Sequence, residues 1–191
     1  MRIGLLGDTH LPGSIKEPWP EITEAFRNVD LILHAGDITS PSVLDWLERI
    51  APVRAAKGNE DSSLKDPRVR EVQFLEVEGW RLGLIHDIEP EDRPVEKLRR
   101  YFDQPIDIML SGHTHFERMD MRDGVFQMNP GSAIHPHLYS TRLGTVGIID
   151  ISANKLEARV VRLGNDCTLR NPGRELQFSC YSPIITGKGR M

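Results

Sequence analysis

Gly112-His113-Thr114-His115 follows the apolar run Ile106-Asp107-Ile108-Met109-Leu110. The run reads as a buried strand, and the four residues after it read as the loop into which that strand empties. In extended backbone alternate side chains point the same way, so His113 and His115 are expected to face one cavity. Gly112 lets the chain turn sharply and come close to whatever fills that cavity. Neutral imidazole is the commonest protein ligand for transition metals. Two neighbouring histidines also suit an ordinary surface loop, so the weight of this motif comes from its recurrence along the chain.

Arg2 to Gly7 is a short apolar run that suits a buried strand, and Asp8-Thr9-His10 follows at once. A carboxylate and an imidazole at a strand's carboxyl end occupy the usual ligand position of an α/β sheet, although the same triplet also suits a turn cap and a solvated histidine. Pro18 to Val29 has helical spacing at Ile22, Ala25, Phe26 and Val29. Asp30 to His34 is a second strand, followed by Ala35-Gly36-Asp37; His34 is expected to pack behind a site rather than bind in it. Ser40-Pro41 opens a helix with Val43, Leu44 and Leu47 on one face, extended by Trp46 and Ile50. Pro52 to Ala56 is a third strand and runs into Lys57-Gly58-Asn59-Glu60-Asp61.

Val72 to Val77 and Trp80 to Ile85 read as a hairpin through Glu78-Gly79, with His86-Asp87 after its second arm. Glu91 to Phe102 reads as a helix whose apolar stripe is Val95, Leu98, Tyr101 and Phe102. Phe116 to Gln127 suits a hairpin around Asp123-Gly124, and Asn129-Pro130-Gly131-Ser132 a tight loop. Thr145 to Ile151 and Leu156 to Val161 form a last hairpin through Ala153-Asn154. From Gly164 onward the pattern fades into an irregular extension, with Leu176, Phe178, Ile184 and Ile185 as residues that dock it.

The bulk properties narrow the function. A chain of 191 residues suits one domain with a sizeable core, and 39% hydrophobic with 27% charged residues is ordinary for a globular protein. A net charge of −4 argues against a broad nucleic-acid surface. No apolar run approaches the ~20 residues that span a bilayer, and the amino terminus has no signal-peptide pattern, so a cytoplasmic protein is expected. Cys167 and Cys180 suggest no metal cluster; whether they bridge is left open.

The predicted strand ends thus supply Asp8, His10, Asp37, Asn59, His86, His113 and His115, a mixture of carboxylate, amide and imidazole. Two divalent cations ~3.5–4 Å apart need several such donors each and a carboxylate between them. Mixed oxygen and nitrogen donors suit manganese, iron, nickel or zinc better than calcium or magnesium.

The ordered set Gly7-Asp8-Thr9-His10, Gly36-Asp37, Gly58-Asn59-Glu60-Asp61, His86 and Gly112-His113-Thr114-His115 resembles the calcineurin-like metallophosphoesterases. Within them it is similar to the small YfcE-type phosphodiesterases, whose Asn-Pro-Gly-Ser loop is matched by Asn129 to Ser132. The resemblance covers residues 1–163, expected as the catalytic domain, with 164–191 as an extension docked on it or on a neighbouring subunit. It implies an α/β fold, a four-layer α/β/β/α sandwich. It also implies a dinuclear centre in which Asp8, His10 and His115 hold one metal, Asn59, His86 and His113 the other, and Asp37 bridges them. Manganese is the first expectation, with nickel, iron or zinc as alternatives. The implied reaction is in-line hydrolysis of a small phosphate diester by a metal-shared hydroxide, with Asp37, Asn59 and His113 central to catalysis; relatives are often dimers or tetramers.

Two positions depart from the family pattern. Glu60 stands where many relatives carry a phosphate-facing histidine, and Asp87-Ile88-Glu89 follows His86 where relatives have glycine. The first implies weaker leaving-group assistance and a preference for activated diesters. Asp61 matches an acidic family position and is expected to orient His10 or another site histidine. The competing expectation is a catalytically weak scaffold like the small retromer subunit, which resembles the same fold; the complete ligand set favours an enzyme.

Overall fold

Short buried strands that end in glycine-containing loops build two sheets. The computed structural model describes residues 1–13, 15–90, 93–164 and 171–181. In chain order the elements are β1 (Arg2–Leu6), α1 (Pro20–Ala25), β2 (Leu31–His34), α2 (Pro41–Glu48), β3 (Val53–Ala56), β4 (Val69–Arg70), β5 (Val72–Val77) and β6 (Trp80–Ile85). They continue as α3 (Val95–Arg99), β7 (Ile108–Leu110), β8 (Glu117–Arg122), β9 (Val125–Pro130), β10 (Thr145–Ser152), β11 (Lys155–Arg162) and β12 (Leu176–Tyr181). One sheet has the order β12-β11-β10-β1-β2-β3-β4 and the other β5-β6-β7-β9-β8. β1 to β4 run parallel, as do β6, β7 and β9, so their carboxyl ends gather the following loops at common edges.

Side-chain alternation divides the core into three layers of packing. Ile3, Leu5 and Leu33 pack with Leu82, Leu84, Ile108 and Phe126 between the two sheets. Leu6, Ile32 and Val53, on the opposite face, pack with Ile22 and Phe26 near α1 and with Leu44 and Leu47 of α2. Ile85 and Met109 pack with Val95 and Leu98 of α3 on the outer face of the second sheet. Helices, sheet, sheet and helix make the four-layer α/β/β/α sandwich. Burying one large apolar side chain such as Phe26 contributes about 1.5–3 kcal/mol, so these faces fix the strand register.

Most predicted elements are present with shorter bounds. The first helix begins at Pro20, not Pro18, because a residue preceding proline is pushed out of the helical region: Trp19 has ψ 135°. The helix expected over Glu91 to Phe102 is confined to Val95–Arg99 after Pro94, and residues 91 and 92 lie outside the described set. Tyr101, expected in its apolar stripe, is 49% exposed, while Val95, Leu98 and Phe102 are buried. The helix at Pro41 is capped as expected, with Ser40 Oγ accepting from Ser42 N. The stretch read as irregular carries β12, which pairs antiparallel with β11 and packs Leu176, Phe178 and Cys180 against the inter-sheet core. Ile184, Ile185 and Cys167 lie outside the described residues; Cys180 is a free thiol. No helix of the described residues is long and apolar enough to cross a membrane.

Candidate metal centre

The loops after β1, β2, β3, β6 and β7 meet at one place. Asp8 is fully buried; its backbone N–H donates to Gly36 O at 2.9 Å, and its Oδ1 accepts from His113 N at 2.9 Å. His10 N donates to Asp37 O at 3.0 Å, and Gly112 N to His86 O at 2.9 Å, so neighbouring loops within each sheet are joined by backbone bonds, while the His113 N to Asp8 bond links the two sheets. Ser132 Oγ donates to Asp8 O at 2.8 Å, and Asn129 Nδ2 donates to Gly112 O at 2.7 Å. The Asn-Pro-Gly-Ser segment therefore braces the site from beneath, although Asn129 and Pro130 still belong to β9.

All seven residues singled out from the sequence converge. His10 Nε2 and His115 Nε2 are 3.2 Å apart, and His115 Nε2 lies 3.8 Å from Asp8 Oδ1. Asn59 Oδ1 lies 3.0 Å from His86 Nε2 and 3.1 Å from His113 Nδ1, which are themselves 3.2 Å apart. Between these groups Asp37 Oδ2 is 3.6 Å from His10 Nε2 and 3.5 Å from His86 Nε2, while its Oδ1 accepts from Glu60 N at 2.9 Å. Two sets of potential ligand atoms result, Asp8-His10-His115 and Asp37-His86-His113, and a third, exposed set, Asp87-Glu89-His113, shares His113.

The hydrogen bonds fix which ring nitrogens carry protons. His86 Nδ1 lies 2.8 Å from Ala35 O and His115 Nδ1 2.7 Å from His135 O. A carbonyl oxygen only accepts, so each Nδ1 donates and each Nε2 turns a bare lone pair inward. Burial pushes the pKa of both rings down, that of His115 to about 4, which favours the neutral form. Asn59 Nδ2 donates to Glu60 Oε1 at 3.2 Å, which leaves Asn59 Oδ1 facing the histidines. Lone pairs of Asn59 and His86 thus face each other with no hydrogen between them. Burial also pushes the Asp8 carboxyl well above the usual range, and its Oδ2 has no hydrogen-bond partner. An orphaned buried carboxylate oxygen beside converging acceptors is the donor set that a cation satisfies.

The backbone departs from the extended reading of the Gly112 to His115 motif. His113 and His115 both have left-handed φ, 71° and 61°, and their rings serve different ligand sets. Asp8, His10 and Asp37 are also left-handed, at φ 55°, 47° and 55°. Such conformations cost on the order of 1 kcal/mol or more each and persist where surrounding bonds enforce them. Gly58 makes one such arrangement possible, since a Cβ there would collide with the Asp37 amide and carboxylate.

Asp61 does not orient a histidine, as had been expected from its position. It is fully buried, accepting from Ile38 N at 2.9 Å and Thr39 N at 2.7 Å through Oδ1, and from Gly58 N at 2.8 Å through Oδ2. It ties the loop carrying Asp37 to the loop carrying Asn59. His34 is buried behind the site, accepting from Gly36 N through Nδ1 and donating from Nε2 to Thr9 Oγ1 at 3.1 Å. Residues missed in the sequence are Ala35 and His135, which act through backbone carbonyls and leave no side-chain signature.

Comparison with known proteins agrees with the geometry. The chain is 38% identical over 168 residues to a protein of Methanothermobacter thermautotrophicus named "Probable metallophosphoesterase", covering 86% of this chain and 94% of that one. It is 33% identical over 163 residues to a "Probable metallophosphoesterase" of Methanocaldococcus jannaschii, covering 84% and 81%. Its fold matches vacuolar protein sorting 29 of Cryptosporidium parvum with a TM-score of 0.75 at 23% identity, over 95% of this chain and 97% of that one. The model of the calcineurin-like phosphoesterase superfamily domain matches residues 1–154, and with the loop ligands assembled as described, the chain belongs to that superfamily.

Proposed function

We propose that the protein is a phosphodiesterase that works with two divalent cations. Asp8, His10 and His115 would hold one and Asn59, His86 and His113 the other, with Asp37 Oδ2 between them. The observation that carries this reading is a pair of donor clusters with no hydrogen to share: Asn59 Oδ1, His86 Nε2 and His113 Nδ1 within 3.2 Å of one another, and His10 and His115 beside Asp8, whose buried Oδ2 has no partner. When bound, such cations supply an ionised water near neutral pH and offset the charge that develops on the phosphoryl oxygens. Manganese is the metal we would test first, and nickel, iron and zinc suit the same donors.

The chain's own residues do the rest. Asn59 offers an amide oxygen and so adds no negative charge beside the phosphate. Ala35 O and His135 O hold His86 and His115 in the tautomer that leaves Nε2 free. Asp61 and Ser132 hold the loop backbones, so the donor atoms need no rearrangement to bind.

Purified protein stripped with chelator and reloaded with manganese is expected to hydrolyse bis-p-nitrophenyl phosphate. Asp37→Ala and His113→Ala should lose at least a thousandfold of that rate while far-ultraviolet circular dichroism is unchanged. Full turnover in either variant would overturn the proposal. A second reading, a scaffold acting through protein contacts, is favoured by the match to vacuolar protein sorting 29. It predicts no metal-dependent turnover of any ester. Whether copies of the chain associate is decided by light scattering on the same sample.

A further inference from the structure

A cavity of about 410 Å³ opens directly onto Asn59, His86 and His113. Its other walls are Val72, Ile85 and Tyr101. Tyr101 is one of the few large aromatic side chains on the described surface, 49% exposed, and it lines the same cavity as Asn59, His86 and His113. The one cation of this cavity, Lys57, is bound at 2.8 Å to Glu71 Oε1, so it does not offer a free positive charge. The charges beside the candidate ligands are negative, whereas Arg93, Lys97 and Arg100 line a separate cavity that shares Tyr101. Asp87 also lines the first cavity, and Glu89 Oε2 stands 3.6 Å from His113 Nε2. Glu60 touches Asn59, and Asp87, Glu60 and Glu89 are all exposed.

Charge and shape therefore point to different parts of a substrate. The centre, once loaded with cations, attracts one phosphoryl group. The cavity beside it offers Val72, Ile85 and Tyr101 to a ring, and on the side of the candidate ligands Asp87, Glu60 and Glu89 repel further negative charge. Resting on the hydrolase reading above, we infer that this cavity receives one ester arm of a monoanionic phosphodiester, an uncharged arm bearing an aromatic ring. Tyr101 stacks against that arm, and Glu60 and Glu89 discriminate against dianionic monoesters.

Calorimetric titration of manganese-loaded protein with diphenyl, dimethyl and monomethyl phosphate at about pH 8, where a monoester is dianionic, tests both halves. Wild type should bind diphenyl phosphate tightest and monomethyl phosphate weakest. Tyr101→Ala should cut the diphenyl-to-dimethyl preference about tenfold. Glu60→Gln and Glu89→Gln should each cut the dimethyl-to-monomethyl preference about fivefold. Hydrolysis of bis-p-nitrophenyl phosphate by the same preparation keeps the two readings apart. Turnover with binding preferences unmoved by the substitutions overturns this inference alone; absence of turnover and of phosphate-ester binding overturns the hydrolase reading and this inference with it.

Discussion

Replacing Asp61 with alanine should loosen the metal-binding face more than any other single change to a residue that is not itself a candidate ligand. The carboxylate is fully buried and accepts three backbone N–H groups, from Ile38, Thr39 and Gly58. An orphaned buried donor costs about 1–3 kcal/mol, and the space left by the side chain is large enough for a water that recovers one or two of the bonds. The net loss is therefore about 4 kcal/mol, a large share of a typical stability of about 5–15 kcal/mol. At about 2–4 °C per kcal/mol for a chain of this size, the melting temperature of chelator-treated protein should fall by about 10 °C. Asp61→Asn provides the geometric control. Its amide oxygen can keep both bonds made by Oδ1, while its NH₂ group opposes the Gly58 N–H, so it should lose about half as much. Scanning calorimetry and urea titration of the two variants measure both numbers. A loss under about 1 kcal/mol for Asp61→Ala, or equal losses for the two variants, would refute the idea that one carboxylate joins the Asp37 and Asn59 loops.

Phe178 of β12 stacks on Phe126 with ring centroids 4.5 Å apart, so Phe178→Ala should destabilise by about 2–3 kcal/mol in urea unfolding; an unchanged midpoint would mean that β12 adds nothing to the core. His34 is buried and its pKa is pushed down to about 3, chiefly by desolvation, against 6.5 when exposed. Below pH 6.5 the unfolded chain then binds a proton that the folded chain does not, so stability falls as pH drops from about 6.5 toward about 3, by about 2 kcal/mol at pH 5. His34→Gln should flatten that acid limb by the same amount in chelator, and a limb as steep as wild type would remove His34 as its cause.

The readable and unreadable parts of this chain differ in a physical way. A donor side chain just past a strand end, after a glycine in every case but His86, is a local pattern, and Asp8, Asp37, Asn59, His86 and His113 were all found by it. What a donor leans on is a long-range fact. Ala35 O and His135 O set the tautomers of His86 and His115, yet any residue type has a carbonyl, so neither position carries a mark. Asp61 shows the converse: an acidic residue near a predicted site suggests a histidine partner, and only the fold reveals three amides closer at hand. The extended reading of His113 and His115 failed because the turn there is imposed by bonds from elsewhere, among them His113 N to Asp8 and Gly112 N to His86. The two-residue β4 was passed over, and so was β12, although the signal of β12 is local. Leu176, Phe178 and Cys180 alternate with Gln177 and Ser179, a period of two lasting five residues. The alternation states which face is apolar, but not that β11 has a free edge to receive it, and that edge is a property of the whole sheet. Sequence thus names the donors because chemistry is local, whereas the order in which loops and edges meet has to be read from the assembled layers.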